Sequence, residues 1–232
     1  LVCLVGSEMC IRDRNKSQCY GLTVPLITKA DGTKFGKTES GTIWLNAKKT
    51  SPYTFYQFWL GVADEDVYRF LRFFTFLSVS AISSIKEKDE FKNAKPVAQS
   101  ILASEVTRFV HGQDQLDAAK RITDALFTDK SEVLQKEDFE QLALDGLTHI
   151  TLQDIDISEV TLSRILVDSG LAKSGKEVKD ALLRGSILIN GELVSPEDSF
   201  NLGKLLSVES SAYGNYFLVK FGKKKYLLLS FS

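Results

Sequence analysis

Ser174-Gly175-Lys176-Glu177-Val178-Lys179-Asp180-Ala181-Leu182-Leu183-Arg184-Gly185 continues through Ser186 into Ile187-Leu188-Ile189-Asn190-Gly191-Glu192-Leu193-Val194. The first half reads as a helix. Ser-x-x-Glu has the form of a capping box, Val178, Ala181 and Leu182 supply an apolar face, and Gly185 stops it. The second half reads as a hairpin, because Asn-Gly between short apolar runs suits a turn whose two central residues need positive φ. Outward from this stretch, residues 162–171 form another short helix and a final pair of apolar runs flanks Gly222. Residues 161–232 are therefore expected as one small α+β domain, with Tyr226-Leu227-Leu228-Leu229 as sheet core rather than a membrane or partner motif.

Upstream the period changes. Residues 51–147 read as helix after helix, an all-helical bundle. Asp64-Glu65-Asp66 places carboxylates at a helix start, and Val67, Phe70, Leu71, Phe74 and Leu77 then recur at three- and four-residue spacing. Phe73 and Phe76 widen that stripe, which predicts a helix sandwiched between others. Pro96 suits the first turn of the next helix, which runs toward His111 and stops at Gly112. Asp114 can cap another, with Leu116, Ala119, Ile122 and Leu126 on one side, and 136–144 is a further helical stretch. Residues 148–160, with Asp154, Asp156 and Glu159 and no clear period, are expected as a linker. Residues 18–50 are loop-rich, punctuated by Gly21, Pro25, Gly32, Gly36 and Gly41, with a short strand candidate at 22–28. Residues 1–17 fit nothing downstream and are expected to be foreign or disordered, and a chain opening on Leu1 is expected to be truncated.

Composition limits the function. The 232 residues carry 29 Lys+Arg and 30 Asp+Glu, a net charge of −1, with 44% hydrophobic residues. This excludes a disordered chain and offers no run of roughly 20 apolar residues to span a bilayer. Near-neutrality removes any whole-chain case for nucleic acid, so such a case must be local. It is local: from Leu162 onward the net charge is +3, against −4 for the rest. Cys3, Cys10 and Cys19 are the only cysteines. An odd number at one end cannot staple a fold, no zinc-ligand spacing accompanies them, and a reduced cytoplasmic chain is expected.

The chemically suggestive stretch is Ala30-Asp31-Gly32-Thr33-Lys34-Phe35-Gly36-Lys37-Thr38-Glu39-Ser40-Gly41. It contains Gly-Lys-Thr but is not a phosphate-binding P-loop, since Asp31 stands where that motif needs its first glycine. Two lysines three apart among glycines could straddle a polyphosphate whose charge grows as a bond to phosphorus breaks. On residue types alone, an exposed turn with its lysines in solvent is the favoured reading, because Gly and Lys are common in turns. Lys173, Lys176, Lys179 and Arg184 on or beside the capped helix, and Lys220, Lys223, Lys224 and Lys225 at the last hairpin, pose the same choice. Each group could be a solvated face or a surface for RNA phosphates.

Gln18-Cys19-Tyr20-Gly21-Leu22-Thr23-Val24-Pro25-Leu26, the lysine stretch, Thr50-Ser51-Pro52-Tyr53, Phe55-Tyr56-Gln57-Phe58-Trp59 and Asp66-Val67-Tyr68-Arg69-Phe70-Leu71 together resemble the bacterial tyrosyl branch of the class I aminoacyl-tRNA synthetases. The likeness continues more loosely through Val110-His111-Gly112 to the chain's end. It implies that 18–50 is the end of an α/β catalytic domain, that 51–147 binds the anticodon, and that 161–232 is an αL module similar to ribosomal protein S-four. Lys34-Phe35-Gly36-Lys37-Thr38 is then the KMSKS-type loop, with Lys34 and Lys37 catalytic and ATP-binding and Phe35, Gly36 and Thr38 completing the ATP loop. Gly32, Gly36 and Gly41 are its hinges. The resemblance implies a tyrosine–tRNA ligase using ATP with Mg2+, no protein metal site, tRNA-Tyr and tyrosine as partners, and a homodimer whose interface lies in a missing half. The HIGH-type motif is absent, since His111 and His149 stand in the wrong context, so the fragment alone is expected to be inactive. A non-catalytic RNA-binding protein and a tryptophanyl relative are the alternatives.

Overall fold

The computed structural model describes residues 26–28, 30, 32–33, 37–38, 41–91, 97–128, 130–152, 160–200, 202–207 and 210–231. The readings of residues 1–17, of Lys34, Phe35 and Gly36, of Pro96 and of Asp154, Asp156 and Glu159 lie outside them. The chain divides into two units, Leu1–Ser40 and Gly41–Ser232. The first contributes strand β1 (Lys37–Thr38), and the second opens with β2 (Gly41–Thr42).

Helix α1 (Pro52–Leu60) starts at Ser51, whose Oγ accepts from the Thr54 N–H at 3.1 Å, with proline in the first turn as sequence chemistry favours. Its Phe55, Tyr56 and Trp59 are buried. Helix α2 (Asp64–Phe74) has the expected acidic first turn and buries Val67, Phe70 and Leu71. Phe73 and Phe76 depart from the expectation, being 58% and 87% exposed. Trp59 of α1 and helices α3 (Val79–Phe91) and α4 (Ala98–His111) pack on α2, and among the described residues they leave the rings of Phe73 and Phe76 largely exposed. Gly112, at φ +86°, ends α4 as expected. Helix α5 (Gln113–Thr128) starts one residue before Asp114 and buries Leu116, Ala119 and Ile122, with Leu126 half-buried. Helix α6 (Lys136–Gln141) runs into a π-helical turn at Leu142–Gly146. A Cβ at Gly146 would stand 2.9 Å from the Tyr53 ring, so glycine alone lets this turn approach α1.

The 148–160 stretch departs from the linker reading at its start. Strand β3 (Thr148–Thr151) pairs in parallel with the last strand of the chain, Thr148 opposite Leu227 and Thr151 opposite Ser230. Helices α7 (Leu162–Asp168) and α8 (Gly175–Leu183) follow, then β4 (Ile187–Ile189), β5 (Glu192–Leu193), the short α9 (Leu202–Leu205), β6 (Tyr216–Phe221) and β7 (Lys225–Ser230). The mixed sheet runs β3-β7-β6-β4-β5. Asn190 and Gly191, at φ +49° and +88°, make the expected two-residue turn between β4 and β5.

Both sheet faces are covered. Phe217, Val219, Phe221, Leu227 and Leu229 meet Leu162, Leu166, Val178 and Leu182 of α7 and α8. On the other face Leu218 and Leu228 meet Ile122, Phe139 and Leu142 of the bundle. Two-sided burial explains why β7 reads as an unbroken apolar run instead of an alternating one. Each fully buried leucine contributes about 2 kcal/mol. Tyr226 Oη donates to the Leu126 carbonyl at 2.6 Å, Tyr213 Oη donates to that of Leu134 at 2.9 Å, and Tyr216 stacks on Phe139 at 5.2 Å.

Candidate nucleic-acid interface

The basic residues around α8 are positioned by its cap. Ser174 Oγ accepts from the Glu177 N–H at 3.4 Å, and the Glu177 carboxylate reaches back to the Lys173 N–H at 2.7 Å. The return bond falls one residue earlier than in the usual capping box, which also fixes the backbone of Lys173. With Val178, Ala181 and Leu182 turned into the core, Lys176 and Lys179 are exposed. Arg184, exposed at the helix end, donates from Nε to the Asp180 carbonyl at 3.1 Å. Gly185 at φ +60° turns the chain toward β4.

The last hairpin returns to the same place. The Gly222 N–H donates to the Ser186 carbonyl at 2.8 Å, and Lys225 Nζ donates to the Leu171 carbonyl at 2.6 Å, two residues before Lys173. Exposed Lys223 and Lys224 at the β6–β7 turn therefore share a surface with the residues flanking α8. None of Lys173, Lys176, Lys179, Arg184, Lys223 and Lys224 has a carboxylate within ion-pair distance among the described residues. Glu177, held on the Lys173 N–H, and exposed Asp180 lie among them, so the surface is positive by count and not free of carboxylates. Lys225 serves partly as a strut, holding a carbonyl and lying 5.7 Å over the Phe221 ring.

Lys220 is separated from this group. Along β6 it shares its face with Leu218, which packs on the bundle, and its Nζ lies 5.9 Å over the Tyr226 ring. It lines a small recess with Ala125 and Ser131 of the bundle. Strand parity, not charge, decides this. The sequence also leaves unseen a groove of about 250 Å³ beside Lys179, bounded by Thr161, Ser163, Leu182, Leu183 and Pro196. Its walls come from segments 35 residues apart that show no shared pattern.

In the lysine stretch, Lys37 and Thr38 lie in β1, while Lys34, Phe35 and Gly36 are outside the described residues. Gly32 adopts φ +81°, a conformation that favours glycine, and Gly41 sits in β2. The path from β2 into the bundle is tightly held. Asn46 Oδ1 accepts from the Lys48 N–H at 2.9 Å, and Thr50 Oγ1 accepts from the Trp44 N–H at 3.0 Å. Asp145 then receives the Ser51 N–H at 3.0 Å and the Thr54 hydroxyl at 2.9 Å, while Gln141 Oε1 takes the Tyr53 N–H at 3.0 Å. Asp145 is the residue that sequence reading missed, because its partners Ser51 and Thr54 stand 94 and 91 residues away.

Both histidines have structural surroundings. His111 meets the Phe55 ring edge-on at 4.8 Å, and its Nε2 has no partner among the described residues. His149 Nε2 shares a 2.8 Å hydrogen bond with Ser230 Oγ. Burial lowers the pKa of each below the ordinary imidazole value. Asp64 accepts from Gln99 Nε2, and Asp66 is buried against Arg69 at 2.6 Å. Among the described residues no three His, Cys, Asp or Glu side chains converge as metal ligands would, and no helix is long and apolar enough to cross a membrane.

The family of tRNA synthetases class I (W and Y) matches residues 3–128, a span that takes in most of the opening stretch set aside above. The tyrosine–tRNA ligase SYY-like C-terminal domain matches residues 138–229. The tyrosine–tRNA ligase of Aliivibrio fischeri is 49% identical over 97% of this chain and 51% of its own length. That of Chromobacterium violaceum is 53% identical over 94% of this chain and 50% of its own. The chain thus spans about half the length of the curated relatives it matches. A solved, C-terminally truncated mitochondrial tyrosyl-tRNA synthetase of Aspergillus nidulans is 38% identical over 37% of this chain and 25% of that one, with a TM-score of 0.35.

Proposed function

The chain belongs to the class I tRNA synthetases of the W and Y family, and from that premise we propose that it is the later half of a tyrosine–tRNA ligase. The whole protein activates tyrosine with ATP to tyrosyl-adenylate and transfers it to tRNA-Tyr. The observation that carries the choice of tyrosine over tryptophan is the match of residues 138–229 to a tyrosine–tRNA ligase C-terminal domain.

In this reading Lys34 and Lys37 offset charge on the pyrophosphate as the tyrosine carboxylate displaces it, and Phe35, Gly36 and Thr38 shape the loop around ATP. Backbone freedom at Gly32 lets the stretch close over the nucleotide. Mg2+ accompanies ATP and supplies further charge neutralisation on the phosphates. The helical bundle faces the anticodon. The unpaired cations of Lys173, Lys176, Lys179, Arg184, Lys223 and Lys224 hold tRNA phosphates, which positions the RNA without reading its sequence. Lys225 supports them from the Leu171 carbonyl. The full-length protein acts in the cytoplasm as a homodimer through its earlier half, and this 232-residue chain does not catalyse ligation alone.

ATP–pyrophosphate exchange by the full-length polypeptide tests the reading. Exchange is expected with tyrosine and not with tryptophan. Exchange driven by tryptophan transfers the chain to the sister branch, and no exchange with either amino acid favours a non-catalytic RNA-binding protein.

A further inference from the structure

The groove beside Lys179 combines apolar walls with polar groups that have bonding capacity to spare. It holds about 250 Å³. Pockets for drug-sized ligands run to roughly 300–1,000 Å³, so this one suits a single small ring system. Leu182, Leu183 and Pro196 supply the apolar walls, and Leu183, the last residue of α8, is 68% exposed. A ring laid against them removes apolar surface from water on both sides.

Hydroxyl groups interrupt these walls. Thr161 Oγ1 caps α7 by accepting from the Arg164 N–H at 3.4 Å, which leaves its own proton to donate. Ser199 is buried, and its Oγ donates to the Pro196 carbonyl at 2.7 Å, which leaves its lone pairs to accept. Ser163 Oγ lies 3.3 Å from where a Cβ on Gly175 would stand, and a hydroxyl there can do either. Donors and acceptors set in an apolar wall match a nucleobase, which stacks through its faces and bonds through its edges. Charge places the backbone of such a nucleotide. Lys179 lines the groove, and Lys176 and Arg184 are exposed on and at the end of the same helix. Asp198, on the segment that follows Pro196, accepts from the Ser195 hydroxyl at 2.8 Å and does not line the groove. The phosphate therefore belongs on the α8 side.

We infer that this groove takes one unpaired base of the tRNA, with Lys179 on its phosphate and the hydroxyls of Thr161, Ser163 and Ser199 on its edge. The small domain then reads a base as well as holding phosphates, and it favours RNAs in which an unpaired base falls at this point. A double-helical stretch offers none, because its bases are stacked and paired. The inference rests on the reading of the basic surface as a tRNA contact and goes beyond it.

Abasic scanning tests it. Transcripts of tRNA-Tyr carrying one abasic nucleotide at each unpaired position in turn, with every phosphate kept, are bound to the full-length polypeptide at fixed salt. Leu183→Ala trims an exposed groove wall and spares the core. One abasic position is expected to weaken binding about tenfold, the order of a single base contact. Leu183→Ala should weaken the intact tRNA and cancel most of that one penalty, while Lys176→Ala should weaken intact and abasic RNA alike. Penalties that all persist undiminished in Leu183→Ala would overturn the inference, since the bases are then read elsewhere. Equal binding of every abasic transcript, with Lys176→Ala still weaker, would overturn the groove and leave the phosphate surface standing. No tRNA binding by the unsubstituted protein would overturn both.

Discussion

Asp138 is fully buried at the start of α6 and satisfies three donors: Arg121 Nε at 2.7 Å, Arg121 Nη2 at 2.8 Å and the Gln135 N–H at 2.8 Å. Removing it strips a cap and leaves a part-buried guanidinium without its carboxylate. Asp138→Ala should lower stability by about 3 kcal/mol, read from the urea midpoint at unchanged slope. An effect under about 0.5 kcal/mol would show that water replaces the carboxylate at no net loss. Residues of this kind divide sharply in how far sequence exposes them. Asn190-Gly191 is legible because the backbone conformation of its turn admits few other pairs. Asp138 and Asp145 are not, since Arg121 and Ser51 stand 17 and 94 residues away from them and nothing local distinguishes a carboxylate with a distant partner from a solvated one. Phe73 and Phe76 mislead for a related reason. Helical spacing reports that a face is apolar, and it is silent on what covers that face.

At the scale of elements, the β6–β7 turn and α8 make one basic surface from two parts of the chain. Alternation along the strands then sorts the lysines. Combined Lys223→Ala and Lys224→Ala should reduce the slope of log binding constant against log salt by about 2 for tRNA, whereas Lys220→Ala should leave that slope unchanged. A salt series by filter binding separates them, and an equal effect at Lys220 would contradict its placement on the bundle-facing side. The helix-hairpin core of this domain could be read from residues 174–194 because its signals are local. Strand β3 could not. It has four residues, its parallel partner begins with Lys225, and Thr-His-Ile-Thr next to acidic residues has the look of a connector. Parallel pairing gives no turn signal to find.

Across the whole molecule, the sheet uses both faces, one for α7 and α8 and one for the bundle. Deleting residues 162–232 would unpair β3 and bare Ile122, Phe139 and Leu142. Charge substitutions therefore test the division of labour more cleanly than truncation does. Under the proposed function, the lysine stretch serves phosphate chemistry within a longer synthetase. The most direct measurement is the single-turnover rate of tyrosyl-adenylate formation in the full-length enzyme carrying Lys37→Ala. A loss on the order of 100-fold or more, with tyrosine affinity changed by less than about threefold, is the expected result. An unchanged rate, or a loss matched by an equal weakening of tyrosine binding, would contradict it.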